Sequence, residues 1–106
     1  MSATPNAVSQ GLPGGNSAVL NILNPQVIKA APGILVRILV VTPGSSGNLT
    51  LNDCANVGDA SAANEIDTVA AASLTIGQTI VLNWPCATGI TLSAVPSGSV
   101  LAATFT

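Results

Sequence analysis

From Ala18 onward, short apolar runs alternate with turn-forming residues, and this rhythm constrains the fold more than any other feature. Asn24-Pro25, Pro32-Gly33, Pro43-Gly44-Ser45-Ser46-Gly47, Pro85 and Pro96-Ser97-Gly98 punctuate the chain. The longest apolar run, Ile34 to Val41, spans eight residues and contains Arg37. A membrane-spanning helix needs about 20. Short Val-, Ile- and Leu-rich runs between Gly and Pro signals read as strands, and several in succession read as a sandwich or barrel.

In chain order the expected strands are Ala18 to Leu23, Gln26 to Ala30, Ile34 to Thr42, Asn48 to Asn52, Glu65 to Val69, Thr79 to Trp84, Gly89 to Val95 and Ser99 to Phe105. About eight short strands predict an all-β, antiparallel β-sandwich, jelly-roll-like in arrangement. Residues 17–106 form this single domain, and residues 1–16, rich in Pro, Gly, Ser and Asn, read as a flexible N-terminal arm. The Pro43 to Gly47 turn predicts a hairpin between Ile34–Thr42 and Asn48–Asn52. The Ala-rich stretch from Asp59 to Ser73 offers a short helix as the competing reading there. Pro85 is expected to end the strand before it.

The third strand is apolar on both parities. Ile34, Val36, Ile38 and Val40 share one; Leu35, Arg37, Leu39 and Val41 share the other. A strand apolar on both faces is covered on both. The second parity, with Leu35, Leu39 and Val41, is therefore the expected subunit interface, and Arg37 within it would need a carboxylate or carbonyl partner.

Composition sharpens this reading. Charged residues are 6% of the chain, against about 25% in an ordinary domain. Aromatics are 2%, so the core must come from Val, Ile, Leu and Ala. A chain this poor in charge is suited to covering its surface with copies of itself or with a larger assembly. Trp84, the one large anchor, reads as a core plug at one end of the sandwich or as an interface hot spot.

The same composition removes chemistry. With no His and no Tyr, neither Cys nor Ser has a base to activate it. Glu65 and Asp67 could pair as carboxylates, but no aromatic sugar platform accompanies them. Asp53, Asp59, Glu65 and Asp67 make an oxygen-rich stretch without the ligand alternation of an EF-hand, and read as solvated loop charges. No catalytic residue, metal or cofactor is expected. Lys29 and Arg37 are the only cations and net charge is −2. Nucleic acid and anionic membrane are therefore not expected partners. Cys54 and Cys86 each follow the end of an expected strand. They read either as a disulfide closing a loop of about 30 residues or as two buried thiols. The first residues lack a basic n-region and an apolar core, so a cleaved export signal is not expected and synthesis is placed in a cytoplasm.

Pro32-Gly33-Ile34-Leu35-Val36-Arg37-Ile38-Leu39-Val40 is followed by Gly44-Ser45-Ser46-Gly47-Asn48-Leu49-Thr50-Leu51-Asn52-Asp53. Further on stand Leu74, Gly77-Gln78, Ile80, Leu82-Asn83-Trp84-Pro85, Gly89-Ile90 and Leu92. Across roughly residues 18–105 this pattern resembles small structural proteins of tailed bacteriophages, of the capsid decoration or cement type. The resemblance implies a β-sandwich that oligomerises, commonly as a trimer, and binds the major capsid protein on the outer capsid surface of the virion. It implies stabilisation of the head without catalysis. Similar β-domains in phage tails and head fibres imply an alternative, attachment to a host-surface glycan.

Overall fold

The structure is a computed structural model that describes residues 17–106; the expected N-terminal arm lies outside these residues. Eight strands form: β1 Ser17–Ile22, β2 Gln26–Lys29, β3 Gly33–Thr42, β4 Asn48–Asn52, β5 Glu65–Ala70, β6 Thr79–Cys86, β7 Ile90–Ala94 and β8 Val100–Phe105. They make two four-stranded sheets, ordered β1-β8-β3-β6 and β2-β7-β4-β5, with every pairing antiparallel.

The pairing is nested: first with last, second with seventh, third with sixth, fourth with fifth. The chain is thus one long hairpin whose midpoint is the β4–β5 connection, rolled so that successive strands alternate between sheets except β4 and β5, which pair in one. That is the jelly-roll arrangement, and the expected all-β sandwich is the observed one.

The expected hairpin between the third and fourth strands does not form. β3 pairs with β6 and β8, whereas β4 lies in the other sheet between β5 and β7. The Pro43–Gly47 segment crosses between sheets instead. It packs on the β7–β8 turn, where the Ser45 amide donates to Ser97 O at 2.9 Å and the Ser97 amide to Ser46 O at 2.9 Å. A five-residue turn rich in Gly and Pro serves a crossover as well as a hairpin, so the local signal could not separate them.

The Ala-rich stretch forms no α-helix. It holds strand β5 and three single 3₁₀ turns, Val57–Asp59, Ala62–Asn64 and Ala71–Ser73. Strand β6 also runs through Pro85 to Cys86. It can do so because β6 is a sheet edge, where a residue without an N–H leaves no ladder bond unmade.

The core between the sheets is aliphatic. Ile22, Leu35, Ile38, Val40, Leu49, Leu51, Ile90, Leu92 and Leu101 are buried within it, with Leu74, Ala103 and Cys86 beside them. No aromatic ring is among the fully buried side chains; Phe105 packs against the cluster from its margin.

Candidate interaction face

The two outer faces of the sandwich differ. On the β2-β7-β4-β5 sheet, Thr91 and Asn52 point away from the core side chains Ile90, Leu92 and Leu51, yet both are buried. The β4–β5 connection folds back over them. Asn52 Nδ2 donates to Ser61 O at 3.0 Å and to Asn64 Oδ1 at 2.8 Å, while Thr91 Oγ1 donates to Cys54 O at 2.7 Å. Ser93 Oγ bonds Asn52 Oδ1, completing a network in which polar side chains meet polar loop groups. Beyond the loop this face shows hydroxyls, with Thr50 and Thr68 bonded across the strands at 2.8 Å.

The outer face of the β1-β8-β3-β6 sheet has no such cover among the described residues, and it is apolar. Leu20 on β1 is 73% exposed, Val81 on β6 63% and Leu39 on β3 38%. The interior strand β8 lines the middle of this face with Ala102, Ala103 and Thr104. These small residues form the floor of a concavity of about 220 Å³, walled by Ala18, Leu20, Arg37, Leu39 and Thr79. Thr104 Oγ1 is buried there without a hydrogen-bond partner. Such a hydroxyl carries a desolvation cost.

Local backbone features decide which β3 residues face outward. The β3 register shifts between Leu35 and Arg37 against both of its neighbours. The extra residue switches parity, so β3 sends Leu35, Ile38 and Val40 into the core cluster, while Val36 is buried outside it and Ile34 is exposed. Leu35, expected at the interface, is fully buried core and is withdrawn from the face. Leu39 and Val41, beyond the irregularity, are exposed as expected.

Arg37 is half-buried, with Thr104 and Val81 as cross-strand neighbours. Its side chain meets no acid within its own sheet, because none of the four strands contains one. Of the carboxylate or carbonyl partner expected for it, the carboxylate is absent from this sheet, and partial exposure lets water solvate the guanidinium.

Trp84 is not a core plug. It is 49% exposed on the edge strand β6, directly after Asn83, whose φ of 48° breaks the strand's alternation. Ile80 and Leu82 of the same strand pack against the core, and Trp84 does not.

The remaining candidates gather at the opposite pole from Pro43–Gly47, where β4, β6 and β8 end. Asp53 accepts three backbone amides of the β6–β7 turn: Ala87 at 2.8 Å, Thr88 at 2.8 Å and Gly89 at 3.1 Å. Burial pushes its pKa up, but these three donors outweigh that and hold it below the ordinary value. Asp53 is thereby a turn-capping residue. Among the described residues no cluster of three or more His, Cys, Asp or Glu could hold a metal.

Cys54 and Cys86 flank this capped turn, so the two sulfur-bearing segments do reach the same pole. Both are buried, free thiols. Burial, aided by the charge of Asp53, pushes the Cys86 thiol up to about 11. Lys29 at this pole is also committed internally, its Nζ donating to Thr106 O at 3.0 Å.

Compared with known proteins, the chain matches no protein-family model, no curated protein and no solved structure.

Proposed function

We propose that this protein is a non-enzymatic structural subunit that associates with copies of itself and attaches to a larger shell, as a capsid decoration protein of a tailed bacteriophage does. The observation that carries the reading is the asymmetry of the sandwich. One sheet is partly covered by the chain's own polar loop, and among the described residues the other leaves an apolar outer face uncovered around a concavity. Contiguous apolar surface of this kind marks an interaction site. The polar groups are engaged structurally: Asp53 is spent on three amides, both thiols are buried, and burial holds the Cys86 thiol in its protonated form. The jelly roll adds weight only by analogy, since it hosts capsid and lectin domains alike.

On this reading the protein acts mechanically. Oligomers lie across junctions between major capsid protein subunits on the outer surface and oppose internal pressure by burying apolar area. The test is to heat phage heads assembled without the protein, before and after adding it back. Added protein should bind and raise the temperature at which heads release DNA. Unchanged release with the protein bound would refute the stabilising role. The glycan-binding alternative gains one observation, the half-exposed Trp84, which could stack on a sugar ring. A glycan array reads it directly.

A further inference from the structure

The apolar face carries one charge, and that charge argues about how copies meet. Arg37 stands on β3, an interior strand of its sheet, and no acid lies on any of the four strands. A two-fold pairing of this face with itself, centred on the concavity, would bring two guanidinium groups together in a drying interface. No carboxylate on either face would separate them. Unpaired like charges in a desolvated contact cost heavily.

The acids lie on the other side of the molecule. Glu65 and Asp67 are on β5, the outermost strand of the opposite sheet, and Asp59 is in the turn before it. Asp53 is already bonded to backbone amides, which leaves these three as the charges available to a partner. Glu65 is exposed, and Asp67 is half-exposed with one carboxylate oxygen accepting the Thr68 amide at 2.9 Å. As an edge, β5 also presents backbone groups unpaired within its own sheet.

We infer that association is head-to-tail: the apolar face of the β1-β8-β3-β6 sheet of one copy receives the acidic β5 edge of the next, with Arg37 meeting Glu65 or Asp67. This deepens the structural-subunit reading and rests on it. The contact hides the apolar surface and neutralises the face's one cation. A contact between two different patches closes into a ring where the rotation between copies closes and runs on as an open filament where it does not, unlike a self-complementary one, which stops at a pair.

The experiment is multi-angle light scattering of the full chain over a concentration series, with circular dichroism confirming the fold of each variant. Arg37→Glu alone and Glu65→Lys with Asp67→Lys should each raise the concentration of half-assembly by about tenfold or more, because close charge pairs in interfaces couple strongly. The three changes combined in one chain restore opposite charges at every contact and should restore assembly. Arg37→Gln and Glu65→Gln with Asp67→Asn give a milder pair should a reversal disturb folding. Assembly that ignores the β5 changes, or that strengthens when Arg37 is neutralised, overturns the head-to-tail contact while leaving the subunit reading intact. A wild-type chain that stays monomeric throughout overturns both.

Discussion

Asp53 ties two connections of the fold together with one side chain. It leaves β4 and caps the turn between β6 and β7, thirty-odd residues further along the chain. Three amide donors on one carboxylate hold its folded pKa below the ordinary 3.8 despite the opposing effect of burial. The sign follows from linkage: its contribution to stability is whole above the unfolded value, shrinks as pH falls below it, and is gone once pH passes the folded pKa. Asp53→Asn should therefore flatten the decline of stability below about pH 4, measured by urea unfolding across an acid series. Asp53→Ala should cost about 1–2 kcal/mol at neutral pH, the scale of a lost cap. The neighbouring thiols make a separate prediction. Buried, with Cys86 held at about 11, they should react with a thiol reagent at least about 100-fold more slowly in the native protein than in denaturant. Rapid native labelling would show that this pole opens.

At the scale of elements, the turns do more than reverse the chain. Gly89 sits where the capped turn presses on two other connections. A methyl group there would lie 2.5 Å from the Cys54 carbonyl oxygen and 2.9 Å from that of Lys29. Both obstacles are backbone, so neither can swing aside. Gly89→Ala should destabilise by about 1–3 kcal/mol, as overpacking does, seen as a lower denaturation midpoint with an unchanged slope. The strands themselves were legible in the sequence, because Pro, Gly and Asn mark their ends and aliphatic runs fill them. Their partners were not legible. The same Pro43–Gly47 signal suits a hairpin or a crossover, and the choice is made by Ser97, far along the chain. The face at β3 was half legible. Leu39 and Val41 lie where alternation places them, but Leu35 does not. The irregularity between Leu35 and Arg37 has no residue signature, such as a Gly, in a run that is apolar on both parities. Trp84 escaped for a related reason: Asn83 adopts a positive φ that a strand-like sequence does not announce.

Across the whole molecule, cohesion comes from many small contacts. The core lacks a buried aromatic plug, and its largest members are Leu and Ile drawn from both sheets. Leu92, fully buried on β7, should cost about 2–5 kcal/mol when changed to Ala, by thermal or denaturant unfolding. A loss below that range would mean that the sheets close the gap. The nesting of strand pairs also bears on when the apolar face comes into being. Strand β8 is the last of the fold in chain order, yet it lies between β1 and β3 and supplies the floor of the concavity. A nascent chain emerging from the ribosome therefore cannot present the finished apolar face while β8 is still inside. On the head-to-tail proposal, neighbouring chains on one message would be spared premature attachment, and maturity of the surface becomes a by-product of topology.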